Sequence, residues 1–335
     1  MLEDPPTRER RELVQQLQAT VHPEEGEIPA FIFSHPLVYE LEQERLFGQV
    51  WLFLAHESEI PEPTDFVVRD LAGQSVVVMR GRDGVVRAFL NMCRHRGMPL
   101  CRTDQGRQAR FVCPYHGFTY NDRGELVGVP FHKEVFGSAL DQSRLGLIAP
   151  RIDSYAGLIF GTWNEAAPPL AEFLGDMRWY LDLVVNRAEM TVVGPPQRWY
   201  VDASWMLAAD NFIHDSYHTM YTHASIAKLG MVPSADYSKY GYQIECGHGH
   251  GLNLGIPSPE FVFCEELREE YAARLSAEQY QVLSQLKNMV GTVFPNLSFL
   301  VSATHFKGQP VSNTTLRLWV PRGPGRMEIW AWMLV

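Results

Sequence analysis

Four residues constrain this 335-residue chain more than any others: Cys93-x-His95 and, after a 17-residue gap, Cys113-x-x-His116. Each half offers one thiolate and one imidazole, so two loops can clamp a single metal group between them. A [2Fe-2S] cluster with two Cys on one iron and two His on the other fits this set, and that ligation raises the reduction potential above that of an all-Cys cluster. A structural zinc knuckle is the alternative, because Cys2His2 also satisfies zinc. Zinc knuckles, however, usually pair Cys with Cys and His with His along the chain, whereas each half here mixes them. The pattern therefore points first to an electron carrier.

The surroundings sharpen this. Residues 91–97 (Asn-Met-Cys-Arg-His-Arg-Gly) and 113–120 (Cys-Pro-Tyr-His-Gly-Phe-Thr-Tyr) each follow a strand-like apolar run, residues 85–90 and 111–112. Each carries the Gly or Pro that a tight backbone approach needs. Turns of this kind free N–H groups to face cluster sulfurs and tune their potential. The two loops resemble the Rieske signature of aromatic-ring-hydroxylating dioxygenases, large (alpha) subunit. Respiratory-type Rieske proteins are less similar, since they add a cysteine beside each ligand pair for a disulfide, and Pro114-Tyr115 stands between Cys113 and His116 here.

Length allows two domains, each with its own core. The 46% hydrophobic and 20% charged content is that of an ordinary globular protein. No apolar run reaches the roughly 18 residues of a membrane span, and the N-terminus lacks the basic-then-apolar pattern of a signal peptide. The expectation is a cytoplasmic protein with no membrane partner. A net charge of −10 argues against nucleic acid. Of the five cysteines, Cys101, Cys246 and Cys264 lie outside the cluster pattern and read as buried small hydrophobes in a reducing compartment.

Along the chain, residues 36–47 read as a helix with Pro at its first turn. Short Gly-punctuated β-runs follow at residues 66–68, 75–79 and 85–90, with an Asp83-Gly84 hairpin signal; residues 157–163 would close this β unit. After Pro168-Pro169 the pattern changes. Residues 170–183 have helical spacing, 192–201 read as strand, 205–221 as helix, 261–275 and 277–289 as further helices, and the remainder as strand. The expected fold is α+β: residues 1–50 as an N-terminal segment packing on the catalytic domain, 51–165 as a β-rich Rieske [2Fe-2S] domain, and 166–335 as a larger catalytic domain. The latter is expected as an antiparallel sheet flanked by helices, helix-grip-like.

The second informative stretch, residues 210–223, holds three His and two Asp within 14 residues. Asp215 and His218 would share one helical face. His218 and His223 are five apart, about 140° off on a regular helix, so the helix must end or bulge for both to reach one metal. Two imidazoles and a carboxylate with open positions make the facial triad of non-haem Fe(II) oxygenases; a polar helix face with satisfied histidines is the plainer reading of the spacing alone. The segment resembles the dioxygenase family's iron-binding motif, which implies that His218 and His223 bind the iron. It also implies that Asp215 bridges to the cluster histidine of a neighbouring subunit, that Asn211 lies near the iron and that Phe212 lies near substrate. Residues 196–199, 247–251 and 292–298 are most similar to the polycyclic-hydrocarbon branch, and the resemblance spans nearly the whole chain. Two departures stand out. Ser204-Trp205-Met206 replaces the usual Asn-Trp-Lys, and His214 replaces a small residue, where its imidazole could perturb Asp215 or compete as a ligand.

The triad's carboxylate is missing from the pattern. Asp236 is the only Asp after His223, and the family places its third ligand, an Asp, beyond the strands that end this sequence. Because the chain stops within an apolar strand, at Val335, the expectation is a truncated chain that alone would be inactive. The resemblance implies the terminal oxygenase of a multicomponent system: NAD(P)H electrons through reductase and ferredoxin, a Rieske cluster, mononuclear Fe(II), and cis-dihydroxylation of an aromatic substrate with O2. It further implies a homotrimer, or an α3β3 assembly with a small beta subunit. A Rieske monooxygenase or demethylase, and an electron-transfer-only Rieske protein, are the alternatives.

Overall fold

A computed structural model describes residues 7–335 except 138, 216–217, 230–240, 259–260 and 307–308. The amino-terminal segment contributes α1 (Arg8–Thr20) and α2 (Pro36–Glu42), the latter running on through a π-helical turn, Gln43–Phe47. Three small sheets follow. β1 (Leu52–His56) pairs with β10 (Leu158–Thr162), which pairs with β9 (Arg151–Tyr155). β2 (Asp65–Leu71), β3 (Gln74–Arg80), β4 (Val86–Leu90) and β5 (Gln105–Arg107) form the second, in the order β4-β3-β2-β5. β6 (Arg110–Val112), β7 (Thr119–Asn121) and β8 (Leu126–Gly128) form the third, and α3 (His132–Val135) follows it.

Alternation along these strands decides their packing. Residues of successive parity point to opposite faces, so Phe53 and Phe160 join the core of the carboxy-terminal half, whereas Leu52, Leu54 and Ile159 join a second core with Phe47, Trp205, Ala209 and Phe212. The run at residues 157–163 therefore closes onto β1 in a sheet between two cores, rather than capping the cluster sheet.

The carboxy-terminal half is a seven-stranded antiparallel sheet flanked by helices. Its strands are β11 (Gln197–Val201), β12 (Tyr242–Glu245), β13 (Gly251–Gly255), β14 (Asn288–Val293), β15 (Leu297–Phe306), β16 (Gln309–Gly323) and β17 (Arg326–Leu334), ordered β11-β17-β16-β15-β14-β13-β12. Leu297, Phe299, Leu316, Leu318, Trp330 and Trp332 fill one face.

The helices are shorter than their periodicity suggests. Residues 170–183 break at Gly175 (φ 49°) into α4 (Leu170–Leu174) and α5 (Met177–Leu181). The expected 205–221 helix ends early, as α6 (Trp205–Ile213), and resumes as α7 (Thr219–Thr222) and α8 (Ala224–Lys228). α9 (Arg268–Arg274) and α10 (Ala277–Ser284) complete the set, and Met289, expected in a helix, lies in β14. The expected strand at 192–201 is interrupted: Val192 bridges Leu334 of β17, the ladder breaks at Pro195 and Pro196, which lack its N–H donor, and β11 starts at Gln197. Cys264, expected buried, is exposed, with its thiol against Glu266 at 3.1 Å.

Several contacts fix the halves together, a buried carboxylate among them. Glu328, on β17 and almost fully buried, takes Arg198 and Arg322 at 2.7 Å each; Arg198 also reaches Asp104 at 2.7 Å and Arg322 reaches Asp70 at 2.6 Å, both in the cluster half. Burial alone would raise the Glu328 pKa, but the two guanidinium hydrogen bonds outweigh it and hold the carboxyl below its usual range. In the amino-terminal segment, the Trp205 indole donates to Glu42 at 3.0 Å and stands edge-on to Phe47.

His250 is a buried joint of a different kind. Its Nε2 faces the Phe173 carbonyl at 2.8 Å and its Nδ1 accepts from the Phe294 N–H at 3.0 Å, which requires the neutral ring. Burial pushes its pKa down to about 4, only partly opposed by the Phe173 carbonyl. An unfolded histidine titrates near 6.5, so the unfolded chain binds more protons between these values. This contribution to stability is complete above pH 6.5 and is lost as pH falls toward 4, by about 3 kcal/mol at most. Denaturant melts at pH 7, 5.5 and 4.5 should show that loss, and His250→Asn should flatten it; an unchanged slope in the variant would contradict the assignment.

Candidate functional site

The first centre is built from two loops with one hydrogen-bond pattern. Cys93 N donates to Met98 O and Gly97 N to Cys93 O, both at 2.9 Å; Cys113 N donates to Phe118 O at 2.8 Å and Gly117 N to Cys113 O at 2.9 Å. Gly97 and Gly117 close these loops at φ 75° and 72°, where a side chain is strained, and a Cβ at Gly117 would also sit 2.8 Å from Pro130. Asn91 locks the first loop from behind: its Oδ1 accepts from Leu100 N and Cys101 N, and its Nδ2 donates to the Cys101 carbonyl.

The four side chains converge. Cys93 and Cys113 are buried, while His95 is half-buried and His116 exposed. The two imidazoles meet edge-to-face with centroids 4.6 Å apart, and His95 stacks on Phe118. Burial raises the Cys93 thiol, with Cys113 adding to the shift as a neighbouring thiol. The buried His95 Nδ1 has no hydrogen-bond partner among the described residues. Two adjacent thiols and an orphaned ring nitrogen are the donor set a Rieske [2Fe-2S] cluster would take, the thiols lying inward and the imidazoles toward the surface.

Tyr120 belongs to this centre, although its role was not legible from the motif. Its hydroxyl lies 3.4 Å from Cys93 Sγ and accepts from Arg94 N at 3.0 Å. Burial, then the Cys93 contact, raises its pKa, so it stays a proton donor to sulfur. A hydrogen bond to a cluster sulfur stabilises the reduced, more negative state. Tyr120→Phe is expected to lower the reduction potential by on the order of 50 mV, measured by redox titration of the cluster; an unmoved potential would exclude this role.

The second centre forms where the helix stops. α6 ends at Ile213, His218 is the N-cap of α7 and His223 its C-cap, so the break supplies the turn that a regular helix could not. His218 Nε2 and His223 Nε2 stand 3.2 Å apart. Two metal–nitrogen bonds of about 2.1 Å at near-right angles place their nitrogens at about this separation. The other ring nitrogen of His218 is held from behind: Nδ1 lies 2.5 Å from the Asp215 carbonyl and 3.2 Å from its carboxylate, whose Oδ1 also accepts from His218 N at 3.1 Å. Asp215 sits in the break rather than on a helix, yet still reaches His218. Asn211 Nδ2 adds contacts at 3.3 Å to His218 Nδ1 and 3.4 Å to Asp215 Oδ2.

Phe212 is not with them. Its ring packs edge-on to Trp319 at 5.4 Å, with Arg317 over its face, on the sheet side of α6. His214 is exposed and its Nδ1 faces Asp210 at 3.1 Å, so in this structure it neither touches Asp215 nor joins the ligand pair. Asp236 lies outside the described residues, and Glu328 is committed to its two arginines. Around the histidine pair, no third His, Cys, Asp or Glu among the described residues completes a metal-binding group.

Two mixed Cys/His loops and a histidine pair at a helix break match two family descriptions in succession: Rieske [2Fe-2S] domain over residues 50–145, and ring hydroxylating alpha subunit (catalytic domain) over residues 170–335. The chain belongs to the ring-hydroxylating dioxygenase alpha subunits. It is 36% identical over 345 residues to the biphenyl dioxygenase subunit alpha of Paraburkholderia xenovorans, covering 95% of this chain and 73% of that one. It is 35% identical over 326 residues to the N,N-dimethyl phenylurea N-demethylase subunit alpha of a Sphingobium species, covering 92% and 71%. Its fold superposes on naphthalene 1,2-dioxygenase from a Rhodococcus species bound to indole, with a TM-score of 0.93 and 44% identity over 97% of this chain and 77% of that one. This alpha subunit is thus an oxidoreductase of the Rieske non-haem iron class, with a [2Fe-2S] cluster and a mononuclear iron. No helix among its described residues is long and apolar enough to cross a membrane.

Proposed function

We propose that this chain is the terminal oxygenase of a multicomponent system that cis-dihydroxylates an aromatic hydrocarbon, with Cys93, His95, Cys113 and His116 as cluster ligands and His218 and His223 as iron ligands. The observation that carries the reading is the pair of Nε2 atoms 3.2 Å apart, with Asp215 bound to the opposite nitrogen of His218. When bound, the cluster supplies single electrons and the mononuclear iron supplies O2 activation; the protein's part is to position substrate and exclude water. Asp215 fixes the tautomer and orientation of His218, and its side chain, 40% exposed, would accept a hydrogen bond from a cluster histidine of a neighbouring subunit in the proposed trimer. Domains at 1–50, 51–165 and 166–335, a trimer of alpha subunits with or without a beta subunit, ferredoxin and reductase donors, and a cytoplasmic setting complete the reading.

A second reading has one specific support, the similarity to an N-demethylase alpha subunit. The same centres would then oxidise an N-methyl carbon. Incubating the complete protein and its electron donors with one-, two- and four-ring aromatics and with N,N-dimethyl phenylurea separates the two. A cis-dihydrodiol supports the first, demethylation alone the second, and no O2-dependent product from any of them overturns both.

A further inference from the structure

α6 lies across the sheet face opposite the Leu/Trp core and touches β13 to β16. Beneath it the polar groups are satisfied: Thr292 Oγ1 reaches the Ala209 carbonyl at 3.1 Å and Ser298 Oγ at 2.7 Å, and Trp319 Nε1 donates to Ser298 Oγ at 2.7 Å. Three other polar atoms on the same face are not. Register aligns Asn253, Val290, Leu300 and Thr315 in one row across four strands, while Arg317, two residues beyond Thr315 on β16, lies in the neighbouring row directly opposite Ser298. Asn253 Oδ1, Thr315 Oγ1 and Arg317 Nε are buried without hydrogen-bond partners among the described residues. Buried polar atoms are nearly always paired, so three orphans on one face are an unmet demand.

Arg317 is the strongest of them. Its guanidinium carbon stands 5.2 Å from the centroid of Phe212, the neighbour of Asn211, which contacts His218. Burial lowers its pKa, and among the described residues no carboxylate opposes that shift. Its buried, unpartnered Nε leaves the guanidinium with an unmet donor, and a carboxylate can accept from it. Val290 and Leu300 form an apolar strip between the two polar ends, which lie three strand spacings apart, roughly 14 Å.

The geometry points to Arg317 as the seat of a carboxylate beside the Thr315 end of an apolar strip below α6, the carboxylate being that of an aromatic acid or one of the protein's own. The inference rests on the oxygenase reading only in treating this face as the substrate side. Planar bidentate pairing is what arginine offers a carboxylate and a neutral isostere cannot return.

Calorimetric titration of the holoenzyme with 2-naphthoate and with the neutral 2-naphthamide tests it. A preference for the acid of about tenfold or more is expected, lost in Arg317→Gln and partly kept in Arg317→Lys. Should both ligands bind alike, the pH dependence of the melting temperature assigns the source: a destabilisation in Arg317→Gln that disappears below about pH 4, where carboxylates are protonated, means a protein carboxylate has lost its partner, since loss of the Phe212 stacking does not depend on pH. No preference together with a pH-independent change in melting temperature overturns the inference. Dihydrodiol formation from naphthalene by the wild type is scored separately, so the oxygenase reading and the Arg317 reading can each fail alone.

Discussion

Replacing Cys93 with serine is expected to leave a protein with no Rieske absorption or EPR signature and with O2-dependent turnover at background. The magnitude follows from the geometry. Cys93 is buried, its loop is locked by Asn91 and Gly97, and its sulfur takes the Tyr120 contact, so no neighbouring donor can substitute for it. His116→Ala should have the same spectroscopic outcome from the exposed side. Because His218 and His223 lie on a separate break between α6 and α7, both variants should still bind one iron per chain. A variant that kept the cluster signature would remove Cys93 from the ligand set, and a wild type that purified with zinc in these loops would revive the knuckle reading.

The second large effect is expected at Asp215. Asp215→Ala removes the carboxylate that accepts from His218 N and faces His218 Nδ1, and it leaves that ring held only by the backbone carbonyl of residue 215 and by Asn211. Turnover should fall by on the order of 100-fold or more while the cluster spectrum and potential stay those of the wild type. Two readouts separate positioning from simple loss of metal. Iron content should fall little at saturating Fe(II), and the rate of cluster reoxidation in a single turnover should fall with kcat. Asp215→Asn, which keeps one acceptor for the His218 N–H, should recover part of the iron affinity but not the rate. Full turnover in Asp215→Ala with an intact cluster would refute the role.

What the sequence makes legible follows the range of the interactions. The cluster loops are local: ligands, glycines and the strand before each loop fall within a few residues, so the pattern carries its own geometry. The His218/His223 pair is also local, but the helix through it is not what periodicity suggests. Residues 205–221 have helical spacing throughout, and the chain nevertheless leaves the helix at His214, where Asp215 uses its side chain to satisfy the His218 N–H that a continuous helix would bond internally. Gly175, Pro195 and Pro196 shorten other elements for equally local reasons, visible in hindsight as breakers inside periodic runs.

The remainder is non-local. Tyr120 reaches Cys93 only because β7 returns beside the first loop. His250 is neutral because Phe173 and Phe294, far away in sequence, frame it. Glu328, an inconspicuous residue in an apolar strand, becomes the joint of the two halves because β17 lies beside β11 and brings Arg198 to it. Arg317 alternates onto the α6 face only once the register of β16 is known. None of these has a spacing signature, since each depends on strand order rather than on neighbours in the chain.

The central claim is that one chain carries both an electron-storing cluster and a separate iron held by His218 and His223. Iron and acid-labile sulfide analysis of the complete, reconstituted protein tests it most directly. About three Fe and two sulfides per chain are predicted, falling to about two Fe in the His218→Ala/His223→Ala protein with the Rieske signature unchanged. Two Fe in the wild type, or three retained in the double variant, would contradict it.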